Sequence, residues 1–434
     1  MSFKDASAYL DALGIDAMKS LGLSLHRMEA ICDALNHPER AVPMIHVTGT
    51  NGKTSTARIA SSLLTATGLT VGTYTSPHLQ TIRERITLNG EPITEGVFAE
   101  VFEHLLPFVQ VVEADLGEKL SYFEVLTAMY FLWASEAVDV TVAEVGLGGT
   151  WDATNVAPSA VAVITNVGRD HMELLGDDPA TIASEKVGII KPGDVVVTSE
   201  RSPDILTMIR HRAAENDAPV FALDDGFEIS ENKMALGGRY LSLTTSVSSY
   251  EGLFLPLHGA HQGTNAAVAL QAVTSFLPMR ELGHDVVLEG FANTKAAGRL
   301  ETLPLGGEVP VILDVAHNPD GMSALVSSLA ETFPFKRVVF VVGILQGKDE
   351  RGMLLEMARI PCALVVTQPE SGRAIEAGEL HETATSLGLE ASVEKTVRSA
   401  VDAARNVAAS GDLVCITGSH YVVGEARSYL LDDN

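Results

Sequence analysis

Short apolar runs alternate along this chain with longer stretches whose apolar residues recur at helical spacing. Runs over 44–47, 70–74, 139–145, 160–165 and 194–198 predict buried strands, with helices over 94–112 and 122–137 between them. From 227 to 257 the pattern changes. Tyr240, Leu241, Leu243 and Thr244 predict antiparallel β-structure, and a helix over 261–276 follows. A second alternating series begins near Arg299, with strands over 309–315, 337–342, 363–367 and 412–417 and helices over 319–332, 350–359, 377–386 and 397–408. Such alternation predicts an α/β fold with mostly parallel sheet. The stretch Asn293-Thr294-Lys295-Ala296-Ala297-Gly298 is hinge-like. It divides the chain into a domain at 1–294, a hinge at 295–298 and a domain at 299–434.

The sharpest local signal is Val47-Thr48-Gly49-Thr50-Asn51-Gly52-Lys53-Thr54-Ser55, set between a predicted strand and a helix that carries Ile59, Leu63 and Leu64. A glycine-rich turn opening into a helix presents backbone N–H groups and the positive end of the helix dipole to an anion. Lys53 is placed to reach the outer phosphates of a nucleotide, and Thr54 to offer its hydroxyl to Mg²⁺. The full phosphate-loop pattern has glycine six residues before the lysine. Val47 stands there, so the loop is a shortened variant. The competing reading is an ordinary Gly/Asn turn that caps a helix.

Other polar groups follow predicted strands. Glu144 precedes Val145-Gly146-Leu147-Gly148-Gly149, at the kind of strand end where a nucleotide-bound Mg²⁺ is held. A dinucleotide fingerprint fails there, because Trp151 occupies the third glycine position. Thr165-Asn166-Val167-Gly168-Arg169-Asp170-His171 delivers polar side chains to the same sheet edge, with His171 either a metal ligand or a hydrogen-bonded loop residue. Lys186 and Lys191 read as cations at the end of a helix that stops at Lys191, where they complement the dipole. Asp314 and His317 face a ligand between the domains or satisfy a turn; their spacing does not decide which.

Composition narrows the partners. The chain has 434 residues, is 46% hydrophobic and carries a formal net charge of -26. Such a surface repels nucleic acid and anionic membranes. A nucleotide site must then be locally basic, and Lys53, Arg83, Arg85, Lys186, Lys191 and Arg299 supply the charge. No apolar run approaches the ~20 residues of a membrane span, and the first residues lack a signal peptide's apolar stretch. Cys32, Cys362 and Cys415 are few and far apart, which fits a cytoplasmic protein without a disulfide or zinc framework.

Taken in order, several stretches resemble the folylpolyglutamate synthase/dihydrofolate synthase family of the Mur ligase superfamily. They are Gly49-Thr50-Asn51-Gly52-Lys53-Thr54, Tyr74-Thr75-Ser76-Pro77-His78-Leu79, Phe123-Glu124-Val125-Leu126-Thr127 and Glu144 to Gly149. They continue through Asp152-Ala153-Thr154-Asn155, Asp170-His171, Glu185-Lys186, His261-Gln262 with Asn265-Ala266, Gly298-Arg299, and Asp314 to Pro319. The resemblance implies a P-loop central domain with small flanking β-structure and a C-terminal Rossmann-like α/β domain. It implies an ATP-dependent ligase that adds L-glutamate to folate or dihydropteroate through an acyl phosphate.

The resemblance also implies roles. Gly49, Thr50, Asn51, Gly52, Lys53, Thr54, Asn265, Arg299, Asp314 and His317 contact ATP. Thr54, Ser76, Glu144 and His171 serve Mg²⁺, with K⁺ as a further cation, and Lys186 joins them when carbamylated. Lys53, Glu144, His171 and Lys186 carry the catalysis. Phe123, Asp152 and Ala153 line the pterin side, with Arg85 on the substrate and Gly22, Leu23 and Arg27 nearby. Small molecules are the expected partners, and a monomer the expected state.

Two rivals remain at this level. A cell-wall Mur ligase carries a UDP-binding domain ahead of the phosphate loop, and the stretch before Lys53 is short beside a typical domain of roughly 100–150 residues. A phosphate-loop protein without ligase activity has no use for Glu144, His171, Lys186 and a second nucleotide-contacting domain.

Overall fold

The computed structural model describes the chain apart from residues 15–21, 23, 169, 171–175, 177, 278–280, 306–307 and 433–434. The described residues form seventeen strands in two sheets. The first sheet holds β1 (Met44–Thr48), β2 (Val71–Tyr74), β3 (Ile86–Leu88), β4 (Glu91–Pro92), β5 (Val140–Glu144), β6 (Val161–Ile164), β7 (Val195–Thr198), β8 (Val220–Leu223), β9 (Gly226–Ala235), β10 (Gly238–Thr244) and β11 (Ser249–Leu255). Their order is β11-β10-β9-β8-β7-β6-β1-β5-β2-β3-β4. The second sheet holds β12 (Glu301–Leu303), β13 (Val311–Leu313), β14 (Val338–Val342), β15 (Cys362–Val366), β16 (Ala391–Val393) and β17 (Leu413–Thr417), in the order β12-β13-β17-β14-β15-β16.

The middle of each sheet is parallel. β1 pairs in parallel with β5 and β6, and β17 with β13 and β14. A parallel strand covered on both faces reads as an unbroken apolar run, which is why these strands were legible. Every residue of β1, β5, β14 and β17 is buried. Side chains still alternate between faces. Ile45 and Val47 of β1 enter one core with Leu63 and Val268, while Met44 enters another with Tyr74, Phe98 and Leu126.

The helix Lys53–Ala66 is locked into the first of those cores by Ile59, Leu63 and Leu64, all fully buried. It is crossed closely by the helix His284–Ala292, where a Cβ on Gly290 would lie 2.8 Å from Leu63 Cα. Truncating Leu63 to alanine removes about 3 kcal/mol of burial and packing. The helix that follows β1 is therefore a rigid mount for the loop at its N-terminus.

The expected antiparallel region at 227–257 is β9, β10 and β11. The helices Tyr122–Ala137, Pro319–Thr332 and Ala377–Ser386 match their expected bounds. Several elements were not anticipated: the helices Phe3–Leu13, His26–Ala34, Pro203–Glu215, His284–Ala292 and His420–Asp432, and the short strands β3, β4, β8, β12 and β16. The unanticipated strands are two to four residues long, too short to show a period. One expectation is corrected. The helix ending in the lysines stops at Lys186, passes into a tight turn over Val187–Ile189, and leaves Lys191 outside it. Lys191 donates to the carbonyl of Ala157 instead of capping the helix.

Candidate active site

The loop after β1 is shaped by contacts that only glycine permits. Gly49 has φ +152°, and a Cβ there would overlap Thr165 Oγ1 at 1.8 Å. Gly52, at φ +85°, precedes the helix Lys53–Ala66, and a Cβ would sit 2.5 Å from Asn265 Oδ1. That helix has no side-chain cap and no acidic residue in its first turn. Its N-terminus is thus a site for an anion rather than a self-capped turn. Asn51 N donates to Asn166 Oδ1 at 3.0 Å and Thr50 N to the Asn166 carbonyl at 2.9 Å. Lys53 Nζ bends over the loop to the carbonyls of Gly49 and Thr50 at 3.0 and 3.2 Å.

Glu144 ends β5 opposite Val47 of β1. Its carboxylate is 1% exposed and receives the Thr54 hydroxyl at 2.9 and 3.0 Å and the Ser76 N–H at 3.2 Å. Burial pushes its pKa up, opposed by Lys53, Thr54 and Arg299. Arg299 crosses from the hinge to donate to Thr54 Oγ1 at 3.3 Å. A buried carboxylate beside two hydroxyl-bearing residues is a hard-oxygen donor set of the kind Mg²⁺ takes together with water and phosphate oxygens. Among the described residues, no three His, Cys, Asp or Glu side chains group to hold a metal. The expected ligand His171 lies outside the described residues, as does Leu23.

Lys186 does not behave as a helix-end cation. It is 4% exposed, and its Nζ donates to the Gly49 carbonyl at 2.9 Å. Burial, reinforced by the charge of Lys53, lowers its pKa to about 7. The phosphate loop thus rests between two lysines, one of which readily becomes a neutral amine.

Both lobes line one cleft of about 270 Å³. The first lobe contributes the loop, Ser76, Glu144, Arg85, Phe123 and Asp152; the second contributes Arg299, His317, Lys348, Arg373, His420 and Tyr421. Asp170 binds the two together. It pairs with Lys348, accepts from Asn318 Nδ2 at 3.2 Å and lies 3.4 Å from His317 Nε2. Asn318 Nδ2 also reaches Asn51 Oδ1 at 3.1 Å. Burial lowers the pKa of Lys348, and Asp170 opposes the shift.

Two predicted site carboxylates spend their oxygens on backbone. Asp314 accepts from the N–H groups of Leu300 and Ala316, each at 2.9 Å. It thereby holds Leu300 at φ +49° and sets the path of the chain at Arg299. A non-glycine residue in that conformation costs on the order of 1 kcal/mol. Asp152 accepts from Gly146, Leu147 and Thr154. Arg85 donates to His78 Nδ1 at 2.9 Å and stacks over Tyr122, while Arg27 joins Glu124 to the Gly22 carbonyl. Ala153 packs in the core beside Phe123.

Lys348, Arg373, His420 and Tyr421 were not singled out from the sequence. Their one signal is position, since each follows a strand of the second sheet on the edge that carries His317.

Fold and cleft define a two-lobed ligase of the Mur type. In chain order, the lobes match the Mur ligase middle domain over residues 47–273 and the Mur ligase glutamate ligase domain over 298–420. The dihydrofolate synthase/folylpolyglutamate synthase of Mycobacterium tuberculosis is 38% identical over 437 residues, spanning 93% of this chain and 89% of that protein. Its counterpart in Bacillus subtilis is 33% identical over 414 residues, spanning 94% of each. Among solved structures, the M. tuberculosis folylpolyglutamate synthase complexed with ADP superposes with a TM-score of 0.93 at 36% identity, covering 99% of this chain and 98% of that one. A bifunctional folylpolyglutamate synthase/dihydrofolate synthase with Mn, AMPPNP and L-glutamate bound gives 0.86 at 29% identity, covering 99% and 98%. The chain belongs to the folylpolyglutamate synthase/dihydrofolate synthase family.

Proposed function

We infer that the chain is an ATP-dependent ligase that joins L-glutamate to a folate-type carboxylate, with tetrahydrofolate and dihydropteroate as its two acid substrates. One observation carries the reading: the phosphate loop of one lobe and the cations of the other face each other across a single cleft. A carboxylate is a poor electrophile. Transfer of the γ-phosphoryl group to its oxygen, with ADP leaving, gives an acyl phosphate whose carbon the glutamate amine attacks as phosphate departs. The protein's part is positioning and neutralisation of phosphate charge.

The residues divide accordingly. The helix N-terminus at Lys53, the Lys53 ammonium and Arg299 take the triphosphate, and Asp314 holds the chain at Arg299. Asn265, against Gly52, and His317 flank the same loop. Glu144, Thr54 and Ser76 are suited to hold Mg²⁺, which would supply positive charge against the phosphates of the nucleotide. Phe123, Gly146 and Asp152 form the wall for the substrate's ring system, with Arg85 near its carboxylate end. Lys348 and Arg373 are the cations placed for the two carboxylates of glutamate. Lys186 is a carbamylation site, because its neutral amine is the form that adds to carbon dioxide.

The lobes at 1–294 and 299–434 close about 295–298, which excludes water from the acyl phosphate. We place the activity in the cytoplasm and in a monomer, in keeping with three free cysteines and a cleft lined by both lobes of one chain.

The deciding assay measures ADP release with tetrahydrofolate and dihydropteroate side by side, each with and without L-glutamate. Release that needs both the acid and glutamate is the expected result. ATP turnover indifferent to either one defeats the reading.

A further inference from the structure

His46 is out of character for its place. It sits within β1, fully buried, among strand neighbours that are buried on every side. A branched apolar side chain would suit that position without any polar atom to desolvate. The imidazole instead leaves Nδ1 without a hydrogen-bond partner. Burial, with Lys191 adding to it, drives its pKa well below the ordinary value, so it stays neutral. Its Nε2 lies 2.8 Å from Thr154 Oγ1.

Counting donors fixes the direction of this contact. The Asp152 carboxylate takes Thr154 N at 3.0 Å, Gly146 N at 3.0 Å, Leu147 N at 3.1 Å and the Thr154 hydroxyl. The hydroxyl has one proton and gives it to Asp152, so it accepts from His46 Nε2–H. The chain of donation runs from β1 through Thr154 to Asp152, whose other oxygen holds the N–H groups of Gly146 and Leu147. Those residues line the cleft beside Phe123, and a Cβ on Gly146 would lie 2.7 Å from the Phe123 ring. The fit between that turn and the ring therefore leaves no slack.

We propose that His46 is a positioning residue for the acid substrate: through Thr154 it orients Asp152, which fixes the Gly146-Leu147 turn against Phe123 and so sets the wall of the ring pocket. The proposal rests on the reading above that this wall receives the substrate's ring system. It accounts for a histidine in a core strand, since among the described residues its Nε2–H is the donor that meets the Thr154 hydroxyl oxygen.

The test uses the full chain with His46→Gln, His46→Asn, His46→Leu and Phe123→Ala. A glutamine amide carries its N–H at the reach of Nε2, whereas asparagine stops at the reach of Nδ1. His46→Leu and His46→Asn are expected to raise the KM for the folate substrate about tenfold, with the KM for ATP held within about twofold and His46→Gln close to the parent. A residue that only supports the core would lower the melting temperature and the yield of active enzyme without moving the folate KM. An unchanged folate KM in His46→Leu, or no difference between the Gln and Asn variants, overturns the proposal. If His46→Leu does not fold, the Gln and Asn pair decides alone. Phe123→Ala separates the two layers of argument. If it leaves the folate KM unchanged, the reading of the wall fails and takes the proposal with it. If it raises that KM while His46→Leu does not, the relay fails alone.

Discussion

The two sides of the cleft are built by opposite means. On the first lobe the anion-binding groups come from one contiguous loop, 49–54, whose shape depends on Gly49 and Gly52. On the second lobe His317, Lys348 and Arg373 come from the loops that follow β13, β14 and β15, and His420 opens the helix that follows β17. A backbone-built site needs consecutive residues and leaves a motif. A site built from side chains needs only that parallel strands end on one edge, so its members are scattered along the chain. The two sides also differ in pairing: Lys348 is already bound to Asp170 across the cleft, whereas Lys53 bends onto its own loop.

This division of labour can be broken by experiment. The largest effect is expected for Lys53→Ala, which should lower kcat/KM on the order of 10³-fold while circular dichroism shows an unchanged fold. Lost turnover with unaltered ATP affinity would remove Lys53 from nucleotide binding. Next is Lys348→Ala, expected to raise the KM for glutamate by roughly 30- to 100-fold through loss of one charge-assisted hydrogen bond. A shift in the ATP KM instead would collapse the assignment of one substrate to each side.

Lys186 sharpens the comparison through pH. Its pKa in the folded chain is about 7, below the ordinary 10.5. Below the folded value the amine is protonated in both folded and unfolded chains, and the cost of its burial is borne in full. As pH rises above 7 the folded amine is neutral while the unfolded one keeps its proton, so stability grows until the unfolded amine also titrates. The carboxylated fraction, read by intact mass in bicarbonate, should fall about tenfold for each pH unit below 7. A fraction independent of pH, or no added carboxyl group at any pH, returns Lys186 to a plain support of the loop. The smallest effect belongs to a contact between the lobes that does not line the cleft. Glu331→Ala removes the partner of buried Arg239 but leaves Asn232 on it. It should cost on the order of 1 kcal/mol in thermal unfolding and leave both KM values within error.

The same contrast explains what could be read from the chain beforehand. The inner strands were legible because burial on both faces makes apolar runs. The strands β3, β4 and β16 were not, because two or three residues are too few to show a period. Asp314 and Asp152 stood out as strand-end and motif acids. What their carboxylates hold, the N–H groups of Leu300 and of Gly146 and Leu147, is visible only once the loops are folded.

Local order along the chain determined the α/β architecture, the phosphate loop and the acid that ends β5, since each follows from periodicity or backbone conformation over a few residues. Tertiary structure alone decided that Lys186 lies against Gly49, that Lys348 and Arg373 share a cleft with the loop, and that His46 speaks to the cleft through Thr154. Those contacts join residues from distant parts of the chain, and long-range proximity is set by how strands stack into sheets and sheets into lobes, which no local pattern encodes.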